Sequence, residues 1–325
     1  MITWTTWILG GALVVLFTFA LLAPLESLRW WSRRGAIETR RTFARIGAPT
    51  PAPKGPLPDR FVVYLSGVGL VSGEGLSARE RAVLDAVATA LPTITLVADV
   101  FPYSAENRNL LQRATRWMWE RLERLRRVRR DSFAPRLIHV RNTLQVLVSA
   151  DPRYGPTFNA GLAQQVVRSL DRAGWVPGCG VPVTLIGFSG GAQMALGAST
   201  LLTVLGMRVS VISIGGVFGD DPALDHIEHL WDIRGSRDRL RLLGPIAFTG
   251  RWPMMRGSAW HHAVADGRVT VLDGGPVRHD GRGSYFARQA GLDGVVPAER
   301  TVGQLVDILG QGTGSQANGA GRAAT

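Results

Sequence analysis

Cysteine occurs once in this 325-residue chain, at Cys179, and lysine once, at Lys54. A single thiol excludes an internal disulfide and a cysteine-rich metal site, and it fits a reducing compartment. Zinc-finger spacing, a clear RNA-recognition motif and internal repeats are all absent. The net charge of +12 and isoelectric point near 11.2 would suit phosphate neutralisation. Almost all of that charge is arginine, however, which looks as much like a compositional bias as a binding face. No nucleic-acid partner is expected, and neither is a metal or other cofactor.

Charge is also missing from Trp4 to Ala23, an unbroken apolar run of about 20 residues, which at about 1.5 Å per residue spans the roughly 30 Å core of a bilayer. The run predicts a transmembrane helix within residues 1–28. A cleaved signal peptide would carry Lys or Arg ahead of the run, and here there is none. Trp4 and Trp7 stand at one end and Trp30 and Trp31 at the other, where aromatic belts belong. Arg29, Arg33, Arg34, Arg40, Arg41 and Arg45 all follow the span. The positive-inside rule then gives a single-pass protein of a bacterial inner (plasma) membrane, with everything after the span in the cytoplasm.

Residues 29–59 read as a basic linker stiffened by Pro49, Pro51, Pro53, Pro56 and Pro58. Residues 311–325 are glycine-rich and polar, the composition of a disordered tail. Between them, over residues 60–310, apolar β-rich runs alternate with helical ones. Strands are expected at Phe61 to Leu65, Thr93 to Ala98, Val183 to Ile186, Val209 to Ile214, Leu230 to Arg234 and Arg268 to Leu272. Helices are expected around Ala78 to Leu91, Ala160 to Ala173 and Gly191 to Leu205. This alternation implies an α/β fold, a mostly parallel sheet with helices on both faces.

The most informative stretch is Val183 to Gly191, a buried strand running into Gly187-Phe188-Ser189-Gly190-Gly191 and then a helix. A Gly-x-Ser-x-Gly turn between strand and helix displays a serine nucleophile. The turn is tight and its serine strained, so small neighbours are required. A serine hydroxyl also needs a histidine to take its proton, and the histidine needs a carboxylate to fix its tautomer. His279 is the best placed of six histidines, beyond the strand Val269 to Leu272 and across a glycine-rich loop, where open α/β sheets build their sites. His226, His229, His261 and His262 lie in polar or helical surroundings that suit surface or structural roles, and His139 lies in an expected helix before the serine. Asp238, just past a strand and a Gly-Ser turn, is the candidate acid; the same position equally suits a helix cap. Asp221, in the loop after the preceding strand, is the reserve acid.

The GFSGG elbow, the GSRD turn and the late RHDGRGSYF histidine together resemble the α/β-hydrolase superfamily, over about Arg60 to Leu309. Serine, acid, histidine is that superfamily's chain order. The resemblance implies a central, mostly parallel sheet with Ser189 as nucleophile, Asp238 as orienting acid and His279 as general base. It also implies an oxyanion hole made by the N–H of Gly190 and one from the loop Leu65-Ser66-Gly67-Val68-Gly69. The family often has His-Gly in that loop where this chain has Ser66-Gly67, so Gly67 and Val68 both stand as donors. The implied activity is hydrolysis of a carboxylic ester or thioester, with membrane lipid a candidate substrate. Acyl transfer with the same residues, or a catalytically silent interaction module, are the alternatives.

Residues 105–155 read as a helical insert, a lid, because roughly fifty residues far exceed an ordinary loop. Leu110, Ala114, Trp117, Met118, Leu122, Leu125 and Val128 recur at helical spacing. Arginines crowd between them, from Arg113 and Arg116 through Arg121, Arg124, Arg126 and Arg127 to Arg129 and Arg130. Such a basic amphipathic helix suits an anionic membrane surface. It equally suits a solvated helix whose Glu120 and Glu123 pair with neighbouring arginines. Ile138 to Val148 is expected as a second, more apolar helix of the same insert.

Overall fold

The computed structural model describes residues 55–69, 76–103 and 133–311, with a few isolated positions before residue 55. The expected membrane anchor, most of the linker, the basic part of the insert and the tail lie outside the described residues. Among the described residues no helix is long and apolar enough to cross a membrane.

Among the described residues the sheet has six strands: β1 (Arg60–Leu65), β2 (Ile94–Val97), β3 (Val183–Phe188), β4 (Val209–Ile214), β5 (Leu230–Arg234) and β6 (Val269–Asp273). Their order is β2-β1-β3-β4-β5-β6, and every pairing is parallel. Strands buried on both faces read as near-continuous apolar runs. The pleat then deals their side chains alternately to two cores. In β1, Phe61, Val63 and Leu65 enter one core, while Val62 and Tyr64 enter the other. Each fully buried large side chain of this kind contributes about 1.5–3 kcal/mol.

Seven α-helices flank the sheet among the described residues: α1 (Ala78–Ala90), α2 (Phe133–Ala150), α3 (Gly155–Arg172), α4 (Gly191–Val204), α5 (Leu243–Ala247), α6 (Ala259–Ala265) and α7 (Pro297–Gly310). Residues of α2, α3, α4 and α6 share the core of Phe61 and Val63. Those of α1 and α7 share the core on the opposite face. This is an α/β-hydrolase-like arrangement with helices on both faces. The helix expected at Ile138 to Val148 is α2, and it belongs to the body of the domain: Ile138 and Val146 are buried in the core, against α3 and α4. Helix α7 closes the second core with Leu305, Ile308 and Leu309; it stands in a stretch where no helix was expected.

Strand order also decides where a site can form. From β1 the chain steps outward to β2, then crosses back to β3 on the other side of β1. Loops leaving the C-terminal ends of β1 and β3 therefore diverge and open a crevice, the switch point at which open α/β sheets bind ligands. The loop after β1 begins at Ser66, and the one after β3 holds Ser189.

Candidate active site

Ser189 has φ 56°, the one positive value at a non-glycine among the described residues. That left-handed conformation costs an L-residue on the order of 1–3 kcal/mol and persists only where its surroundings enforce it. Here they do. The Ser189 N–H donates to Ile214 O at 3.1 Å, and Ser189 O accepts from Ala192 N and Val217 N, each at 3.1 Å. The neighbouring glycines are sterically obligatory. A Cβ on Gly187 would stand 2.5 Å from the Ala192 backbone, and one on Gly191 2.2 Å from Leu65 O.

Ser189 Oγ lies 2.7 Å from His279 Nε2, and His279 Nδ1 lies 2.9 Å from Asp238 Oδ2. An ionised carboxylate only accepts, so Nδ1 carries the proton and Nε2 is left to accept the Ser189 hydroxyl. The three side chains from the elbow, the turn after β5 and the loop after β6 thus form one hydrogen-bonded line. Asp238 is buried, which by itself raises its carboxyl. The His279 hydrogen bond and charge, the Tyr285 hydroxyl and the Arg241 N–H outweigh burial and hold it below the usual carboxylate range. Asp238 Oδ1 also accepts from Leu240 N at 3.0 Å, so its capping role and its contact with His279 coexist on different oxygens.

Two residues that the sequence reading did not single out complete this line. The Tyr285 hydroxyl donates to Asp238 Oδ2 at 2.8 Å and accepts from Gly235 N at 2.8 Å, tying the carboxylate to the turn that carries it. Burial first, then the Asp238 charge, push its phenol well above the ordinary value. Phe188, the variable residue of the elbow, stacks on the His279 ring at 5.3 Å and 21° and is itself braced edge-on by Phe286 at 4.9 Å. The signal for Tyr285 was its place six residues after His279 in the RHDGRGSYF segment.

The loop after β1 reaches the serine. A Cβ on Gly67 would lie 3.3 Å from Ser189 Cβ, and one on Gly190 would lie 2.9 Å from Val68 Cγ1. Three side chains from three elements hold this loop. Ser66 Oγ donates to Glu80 Oε1 at 2.5 Å, Tyr103 OH donates to Ser66 O at 2.7 Å, and Asn142 Nδ2 donates to Val68 O at 2.8 Å. Because a trans peptide sets N–H opposite C=O, pinning Ser66 O fixes the direction of the Gly67 N–H. Among the described residues the backbone N–H groups of Gly67, Val68 and Gly190 have no hydrogen-bond acceptor.

Asp221 is not part of the line. Its Oδ2 accepts from Gln193 Nε2 at 2.9 Å and its Oδ1 from Ala223 N at 3.0 Å, which makes it a clamp between α4 and the turn after β4. Burial, as the leading cause, raises its carboxyl to about 6. Of the other histidines, His229 bonds Thr270 Oγ1 at 2.8 Å, His261 bonds Trp252 O at 2.9 Å, and His262 stands 3.6 Å from Asp225. No group of three His, Cys, Asp or Glu among the described residues could hold a metal.

The sequence matches no protein-family model and no curated protein. Among solved structures it is similar to a dienelactone hydrolase from Anabaena variabilis ATCC 29413, at 19% identity and a TM-score of 0.34, over 70% of this chain and 78% of that one. The strand order and the Ser189–His279–Asp238 distances define an α/β-hydrolase-like domain with a Ser–His–Asp line at its switch point.

Proposed function

We propose that this protein is a membrane-anchored serine hydrolase that cleaves a carboxylic ester or thioester through an acyl-enzyme on Ser189. The observation that carries the reading is the unbroken hydrogen-bonded line from Ser189 through His279 to Asp238. In the forward step Ser189 Oγ attacks the carbonyl carbon while its proton passes to His279 Nε2. The new imidazolium faces the ionised Asp238. The oxyanion accepts from Gly190 N–H and from Gly67 or Val68 N–H, groups that are already oriented and free to donate. Collapse breaks the bond to the leaving alcohol or thiol, which takes the proton from Nε2. Water, deprotonated by the same nitrogen, then releases the acid and restores Ser189.

The N-terminal apolar run supports attachment to a membrane with the domain on the cytoplasmic side, which makes a lipid ester the favoured substrate class. A fluorophosphonate probe tests the nucleophile. Purified protein is expected to be labelled on Ser189, and Ser189→Ala is expected to lose the label. Equal labelling of both, or labelling of neither, would refute Ser189 as the nucleophile. Product analysis with added alcohol acceptors separates hydrolysis from acyl transfer.

A further inference from the structure

Between Asp238 and α6 the chain exposes an unusual amount of apolar surface. Leu240, Leu242, Leu243, Ile246, Trp252, Met254 and Met255 are all exposed, Ile246 at 66% and Met254 at 74%. Soluble surfaces carry single exposed apolar side chains routinely, but seven within sixteen consecutive residues mark an interaction surface. Helix α5 and the short turns on either side of it contact one another, and the second of these turns also contacts α6, so these side chains belong to one compact unit. Arg251 pegs that unit to the domain. Its guanidinium lies between the rings of Phe218, at 4.4 Å, and Trp260, at 4.0 Å, and donates to Phe218 O. The tips around it face outward: residues 252–257 are exposed without interruption.

The unit stands at the sheet edge that carries the Ser–His–Asp line. It leaves β5 at the same end as the elbow leaves β3, and its first residues hold Asp238 through the Leu240 N–H.

Charge selects the partner. From Arg239 to Ala265 there is no aspartate or glutamate, while Arg239, Arg241, Arg251 and Arg256 interleave the apolar residues. Arg239 and Arg256 are exposed, and among the described residues neither forms an ion pair. A second copy of the chain would bring the same arginines to the contact. The basic insert segment 105–132 would bring nine more. An anionic lipid surface complements both halves of the pattern: acyl chains take the Leu, Ile and Met side chains, the headgroup layer takes Trp252, and phosphates take the arginines.

We propose that residues 239–256 are a docking surface for an anionic phospholipid bilayer, which brings the Ser189 crevice to the lipid–water interface. This rests on the reading of the protein as a membrane-attached lipid-ester hydrolase and supplies the contact through which such a substrate would arrive. Each arginine near an anionic surface strengthens binding about fivefold, so the contact depends on lipid charge and on salt.

The test uses the full chain with Cys179→Ser and a single reporter cysteine, Met254→Cys, carrying an environment-sensitive fluorophore. The protein is reconstituted into phosphatidylcholine vesicles with or without phosphatidylglycerol and a lipid-borne quencher. A second reporter, Ala90→Cys, sits at the exposed far end of α1. Expected is strong quenching at position 254 in anionic vesicles, severalfold weaker quenching in pure phosphatidylcholine or at high salt, and none at position 90. Adding Arg256→Glu is expected to weaken the quenching at 254 about fivefold or more. Equal solvent exposure of position 254 with and without anionic lipid would overturn the proposal. So would shielding that is already complete in lipid-free protein, which would assign the surface to the insert or to a second copy. Fluorophosphonate labelling of Ser189, run on the same samples, reports separately on the hydrolase reading.

Discussion

Replacing Tyr285 by phenylalanine removes one oxygen and leaves the aromatic packing. The ring still meets Phe188 edge-on at 6.3 Å, so no cavity larger than a hydroxyl opens. What is lost are two buried hydrogen bonds, one to the Asp238 carboxylate and one from the Gly235 N–H. A hydrogen bond to a charged group contributes about 1.5–3 kcal/mol, and an orphaned buried N–H costs about 1–3 kcal/mol. Together these give a loss of about 3 kcal/mol, or about 6–12 °C in Tm for a domain of this size. The loss has a pH signature. In the native protein the Asp238 carboxyl lies below its unfolded value. Its contribution is therefore complete above the unfolded pKa and disappears as pH falls through the folded one. Tyr285→Phe removes a donor to the ionised form and brings the folded pKa back toward the unfolded one. The gap between wild type and variant should be widest near neutral pH and narrow in acid, leaving the pH-independent part due to Gly235. Denaturant unfolding at several pH values measures this. A loss under about 0.5 kcal/mol at neutral pH, the range of an ordinary surface substitution, would refute the reasoning.

Asp238→Asn keeps shape and burial but lets Nδ1 lose its proton partner, so esterase turnover is expected to fall by about 10⁴-fold while the protein stays folded; a loss under tenfold would contradict the orienting role. Gly191→Ala would force a Cβ to 2.2 Å from Leu65 O, a backbone clash that no rotamer relieves, and a loss of at least 1–3 kcal/mol is expected in thermal unfolding; an unchanged Tm would be the contrary result. Burial holds the Asp221 carboxyl at about 6, above the unfolded value near 3.9. Between those pH values the folded state binds more protons than the unfolded one, so stability falls as pH rises through that window, by on the order of 2–3 kcal/mol. Asp221→Asn should flatten that slope, and an unaltered slope would assign the window to other groups.

The fold was legible where burial on both faces left a plain signature. Val209–Ile214 and Leu230–Arg234 have the bounds that their apolar runs suggested, because a glycine or a charged residue ends each run. The elbow was legible for a similar reason, since its steric demands fall on adjacent residues. Helix α7 carries Pro297 at its start and an apolar face at Val302, Leu305 and Leu309, yet glycines before it and a glycine-rich tail after it blur its limits. Roles that depend on residues distant in the chain were hidden. Glu80 pairs with Ser77 in a capping box, but nothing local in the sequence reveals that its other oxygen accepts from Tyr64 and Ser66 and so holds the loop beside the serine. Tyr285 meets Asp238 across 47 positions, a contact made by the strand order rather than by any motif.

Central to the account is a covalent bond to Ser189. Purified full-length protein mixed with an activated acetyl ester and quenched in acid within the first turnovers should carry one acetyl group, and fragmentation of the peptide spanning residues 183–207 should locate it on Ser189. Burst release of the alcohol equal to the enzyme concentration should accompany it. An acetyl group on another residue, or ester cleavage without any acylated protein, would contradict the account.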